Sequence, residues 1–137
     1  MPRLSWRGSL AVLVPLSWGE VFDKFTILEI KAERITDGAK LVNVKRESDA
    51  LKPFLDQALG AHAALGALVA DLKAVNGTLW EVEDEIRDWE RRKEFGARFI
   101  ELARAVYHEN DRRSLLKRQI NDLLGSDLVE EKSYQRY

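Results

Sequence analysis

LGALVADLKAVNGTLWEVEDEIRDWE, residues 65–90, decides the architecture. Leu65, Leu72, Leu79 and Ile86 recur every seven residues, and Leu68, Val75, Val82 and Trp89 follow each of them by three. Apolar residues at both positions of four successive heptads form the seam of a coiled coil or a long helical hairpin. KEFG (93–96) reads as the turn. Helix then resumes from about Ala97 to Leu124, and Gly125 is placed to stop it in the left-handed conformation. The second seam is Phe99, Leu102, Val106, Glu109, Arg113, Leu116, Ile120 and Leu123. Each helix would be about 40 Å long at ~1.5 Å per residue.

Upstream, Ser17 and Glu20 have capping-box spacing, which predicts a helix from Trp18 to Ile35. Its main stripe is Val21, Phe25, Leu28, Ala32 and Ile35, widened by Phe22, Ile27 and Ile30. Asp37 caps a second helix with the stripe Leu41, Val44, Ser48 and Leu51, which Lys52-Pro53 ends or kinks. Gly60 then separates a short helix from the heptad helix. Ala11–Val14 reads as a short extended segment or strand ended by Pro15. All three prolines, Pro2, Pro15 and Pro53, precede the hairpin, and an interior proline costs a helix about 3 kcal/mol. The expectation is one all-α domain over 1–137: a long antiparallel hairpin with two additional N-terminal helices and room for a short N-terminal strand.

Composition narrows the functional classes. The 137 residues are 45% hydrophobic and 33% charged, with 22 Lys+Arg against 23 Asp+Glu and no cysteine. Disulfides, zinc-thiolate sites and cysteine nucleophiles are excluded. A net charge of −1 argues against nucleic-acid binding and against a polybasic membrane surface. No run approaches the roughly 20 apolar residues that span a bilayer, so membrane insertion is not expected. The apolar run Leu10–Leu16 is broken by Pro15 and lacks a cleavage-site pattern, so a cytoplasmic protein is the expectation. The balanced charge conceals a segregation. Six acids crowd residues 81–90, whereas residues 104–118 carry five Lys/Arg against two acids.

The hairpin seam breaks where Glu109 and Arg113 enter it, four apart with the acid first, the favourable order for a helical ion pair. Asn76-Gly77 interrupts the other helix. With the turn between Glu94 and Phe95, Arg113 faces Asn76 and Glu109 faces Trp80, roughly 25 Å from the turn at ~1.5 Å per residue. Two readings follow. Asn76, Trp80, Glu109, Asn110 and Arg113 form a buried polar layer that fixes register. Alternatively they line a ligand-binding notch in which Gly77 leaves room and Arg113 receives a carboxylate or phosphate.

Other chemistry is thinner. Glu81/Glu85 and Asp84/Asp88 are i,i+4 acid pairs, and Glu81, Glu85 and Asp88 are the candidate ligands for Mg²⁺ with phosphates. The heptad turns Asp84 outermost, which favours a solvated acidic face. Glu20, Asp23, Lys24, Glu29 and Lys31 read as surface ion pairs. The Trp18-Gly19 N–H groups at a helix start could accept an anion. His62, near a helix start, and His108, beside Glu109, read as surface residues. No Ser/His/acid arrangement, Walker loop, dinucleotide fingerprint or zinc spacing occurs.

The blocks SWGEVFDKFTILEIKAERI (17–35), LWEVEDEIRDWE (79–90), FIELARAVYHENDRRSLLKRQIN (99–121) and EEKSY (130–134) resemble a family of small bacterial helical proteins, a domain of unknown function. The resemblance implies a mostly helical domain, at times associated with cell-surface polysaccharide enzymes, and carries over no catalytic residues. The functional expectation is a non-enzymatic helical interaction or scaffold module, accessory to such enzymes, that forms a homodimer or binds a protein partner. The alternative is Mg²⁺-assisted binding or hydrolysis of a nucleotide or nucleotide sugar.

Overall fold

A computed structural model describes residues 11–137. It contains four helices: α1 (Trp18–Arg34), α2 (Gly38–Ala61), α3 (Leu65–Arg91) and α4 (Ala97–Leu124). Among the described residues there is no strand, and residues 11–16 are exposed and without regular structure. Leu10, where the N-terminal apolar run begins, lies outside the described residues. No helix is long and apolar enough to cross a membrane.

The hairpin follows its heptads. Every seam position of α3, from Leu65 to Trp89, is buried or half-buried. Lys93, at φ 56°, turns the chain between the helices, and Gly125, at φ 65°, ends α4 in the left-handed region that glycine tolerates best. Asp37 caps α2 by accepting the Ala39 and Lys40 N–H groups.

Two expectations change. First, Pro53 does not end α2, which runs on to Ala61, and the break falls at His62–Ala64, beyond Gly60. Pro53 itself is exposed, whereas Leu55 and Ala58 just beyond it are only 1% and 6% exposed. Their burial against Phe22, Leu65, Leu72 and Ile120 offsets the backbone hydrogen bond that proline removes. Second, the inward face of α1 takes only part of the expected stripe, Phe22, Leu28 and Ile30, and adds small and polar residues to it. The buried positions are Gly19, Phe22, Asp23, Thr26, Leu28 and Ile30, while Val21 and Phe25 are half-buried and Ala32 is exposed.

Gly19 explains how α1 sits so close to α4. A Cβ at that position would collide with the Lys117 carbonyl oxygen and lie 2.9 Å from Asn121 Oδ1. The same approach lets the Gly19 N–H donate to Asn121 Oδ1 at 2.6 Å. α2 lies on the other side of α1, and its Leu55 and Ala58 close the apolar core at the base of the hairpin. The residues after Gly125 run back along α4 as an extended tail: Ser126 Oγ accepts the Trp18 N–H at 2.9 Å, and Glu130 pairs with Lys117 at 2.8 Å.

Gly19 and Gly77 therefore respond oppositely to the same substitution. A Cβ at Gly77 meets nothing within 4 Å. Gly77→Ala should raise unfolding stability by about 1 kcal/mol through helix propensity. Gly19→Ala should lower it by about 2 kcal/mol by forcing α1 off α4. Urea unfolding midpoints of the two variants check both signs.

Candidate functional site

The most polar part of the interior lies where α1, α3 and α4 meet. Asp23 is 1% exposed, yet it carries a formal charge. Burial by itself pushes its carboxyl group up. Hydrogen bonds from Arg113 and Asn76, with the charges of Arg113 and Lys117, outweigh burial and hold it below the ordinary carboxylate value. The Arg113 guanidinium clasps both carboxylate oxygens, with Nε 2.8 Å from Oδ1 and the second nitrogen on Oδ2. Such two-pronged pairing fixes direction as well as charge. Asn76 Nδ2 donates to Asp23 Oδ1 at 2.9 Å and to Thr26 Oγ1 at 3.0 Å, and Thr26 donates onward to the Asp23 carbonyl. Asn110 accepts from the far side of Arg113 at 3.5 Å. Among the described residues, no buried side-chain nitrogen or oxygen lacks a partner.

One turn toward the base, Lys117 is 8% exposed and sits between two acids at 2.8 Å, Glu20 of α1 and Glu130 of the tail. Burial pulls its pKa down, but the two carboxylates reverse this and the net shift is upward. Glu130 is correspondingly held below its ordinary value, first by the Lys117 hydrogen bond.

The anticipated layer is thus partly assembled. Asn76 and Arg113 do meet at one height, through Asp23. The expected Glu109–Arg113 pair does not form, because Arg113 turns inward to α1 and Glu109 takes Arg112 at 3.4 Å instead. Trp80 is half-buried, and a Cβ at Gly77 would meet nothing within 4 Å. The acid that organises the layer, Asp23, is not on the exposed face where its mixed-charge neighbourhood suggested. The capping box is half made: Ser17 accepts the Glu20 N–H at 3.2 Å, while the Glu20 carboxylate goes to Lys117. With Ser126 and Asn121 on the Trp18 and Gly19 N–H groups, the first three donors of α1 are taken by protein oxygens.

The acidic stretch on α3 is divided among arginines. Glu81 pairs with Arg34 at 3.0 Å, Asp88 with Arg91 at 2.8 Å, and Glu85 takes both Arg98 and the Trp89 ring N–H. Arg98 first, then Trp89, brings the Glu85 pKa down to about 2. Among the described residues, no group of three or more His, Asp or Glu is placed to hold a metal ion. His62 lies at the C-terminal end of α2, and His108 packs on Tyr137.

A second feature escaped the sequence reading. Between α4 and the tail lies a cleft of about 1090 Å³, lined in part by Tyr107, Asn110, Asp111, Lys132, Tyr134 and Tyr137. It gathers all three tyrosines of the chain. The tail tyrosines stand among charged residues and carry no helical period, so only the folded tail brings them to α4.

The chain belongs to a family of unknown function (DUF6165), whose model matches residues 12–137. No curated protein and no solved structure matches it.

The buried pair makes an asymmetric prediction. Arg113→Leu leaves the Asp23 carboxylate buried with Asn76 as its main donor, and should cost about 3 kcal/mol. Asp23→Leu leaves a guanidinium that is 29% exposed and can reach water, and should cost less. Because the folded-state pKa of Asp23 is depressed, its contribution is full at neutral pH and lost as pH falls below about 4. Arg113→Leu should therefore flatten the acid limb of the stability curve, measured by urea unfolding between neutral pH and pH ~3.

Proposed function

We propose that the protein is a non-enzymatic helical interaction module that pairs with a second copy of itself through the distal arm of the α3–α4 hairpin. The observation that carries this reading is the exposure of the arm. From Glu83 to Glu101 no residue is buried, although Ile86, Trp89 and Phe99 occupy seam positions there. Phe95 and Ile100 stand 52% and 56% exposed on the same segment. The base of the hairpin, by contrast, is enclosed by α1 and α2 and holds the apolar core. Two helices alone leave half of each seam in contact with water, and a second pair of helices removes it.

A second copy suits the arm because it brings the same half-covered seam to the contact. Glu90, beside the α3 seam, has no ion-pair partner among the described residues, so charge there contributes to the direction of packing. The polar layer supports a structural role for Arg113, since its two-pronged contact is already given to Asp23 of the same chain.

Sedimentation equilibrium at tens of micromolar should show a dimer. Ile100→Lys alters an exposed side chain of the arm and should shift the chain to monomer with unchanged far-UV circular dichroism. A wild-type monomer under these conditions overturns the proposal.

A further inference from the structure

Independently of how the arm associates, the cleft beneath the tail has the chemistry of a ligand site. We propose that it binds nucleoside phosphates, with the base on the tyrosine rings and the phosphate on Arg136. Its walls supply ring faces. Tyr107 and Tyr137 pack at 5.1 Å between centroids, and His108 meets Tyr137 edge-on at 4.7 Å, so Tyr137 is braced from two sides. Its hydroxyl group donates to Asp111. Tyr134 is 75% exposed and offers a free face, with Lys132 Nζ 5.6 Å from its ring centre. Planar bases stack on such rings whatever their identity, because each presents a π-face.

The polar groups point to an anionic partner. Lys132 and Arg136 both line the cleft, against Asp111 as its one lining acid. Asp111 is engaged by Tyr137 and Lys132 by Glu130, whereas Arg136 has no ion-pair partner among the described residues. A guanidinium left free at the rim of an aromatic cleft is suited to a phosphate, which it grips with two parallel hydrogen bonds. Gln135 likewise makes no side-chain hydrogen bond among the described residues, and a primary amide can read the donor–acceptor edge of a base. The volume is at the scale of small-molecule sites rather than of a single ion. A lone anion would leave the ring faces unused, and a purely apolar ligand would leave Arg136 unused.

The test is a titration of the 137-residue chain with AMP, followed by the aromatic NMR signals of the three tyrosines and by calorimetry. Adenosine and ribose 5-phosphate serve as half-ligands. AMP should move the Tyr134 and Tyr137 signals saturably, and each half-ligand should bind at least ~tenfold more weakly. Arg136→Ala should weaken AMP by a similar factor while leaving adenosine unchanged. Tyr134→Ala should weaken AMP and adenosine but leave ribose 5-phosphate unchanged. Both side chains are exposed, so the melting temperature should stay put. The proposal fails if AMP, GMP, CMP and UMP all leave the tyrosine signals unmoved at millimolar concentration. It fails equally if ribose 5-phosphate binds as tightly as AMP, or if Arg136→Ala has no effect on AMP.

Discussion

A single buried carboxylate constrains the rest of the molecule. Asp23 is taken out of water in the middle of α1, and a lone charge in such a place is too costly to persist. It is tolerated because two elements deliver donors to it, α3 through Asn76 and α4 through Arg113, while Thr26 of α1 accepts a second hydrogen bond from Asn76 and so holds that amide in place. Each donor reaches it only at one rotation and one height of its helix. A slide of α1 by one turn would bring Ile27 or Gly19 to the Asp23 position and leave Arg113 facing hydrocarbon. The pair thus specifies where α1 sits along the hairpin, a task that the apolar contacts around Phe22 and Leu72 perform less sharply.

Lys117 repeats the arrangement one turn lower with weaker enclosure. Its two carboxylates come from the start of α1 and from the tail, so the tail docks against a charge already half-neutralised by Glu20. Gly19 makes this possible, since any side chain there would separate α1 from α4 and pull Glu20 away from Lys117. The close backbone approach, the Asn121 acceptor and the Lys117 bridge are consequences of one missing Cβ.

What the sequence disclosed follows from what periodicity can encode. The hairpin was legible because its seam is made of large hydrophobes at fixed spacing, and Gly125 marked its end. Asn76 and Arg113 were legible as a shared layer because the Asn76-Gly77 irregularity of α3 and the break in the α4 seam at Arg113 lie at equal distances from the turn. Asp23 was not, because α1 is apolar nearly all round and its buried face sets Gly19, Asp23 and Thr26 beside Phe22, Leu28 and Ile30. Hydrophobicity ranks such positions as surface, and only the partner on α4 shows otherwise. That α2 continues past Pro53 was hidden for the complementary reason: the burial of Leu55 and Ala58 that offsets proline's local penalty is not a local property of the sequence. The tyrosine cleft depends on an extended tail with no period at all, so nothing in the order of residues announces it.

The two ends of the hairpin differ in what they leave unsatisfied. At the base, charges are matched within the chain: Asp23 with Arg113, and Lys117 with Glu20 and Glu130. In the arm, Glu85 and Arg98 are matched across the two helices, but the seam beside them is only half-buried. A protein held together by its base is free to present its arm, because nothing in the arm is needed to position Asp23. Changes to the arm should therefore leave the acid-sensitive stability that Asp23 governs unaltered. That separation follows from where the buried carboxylate lies, below the point at which Arg34 meets Glu81 and α1 ends.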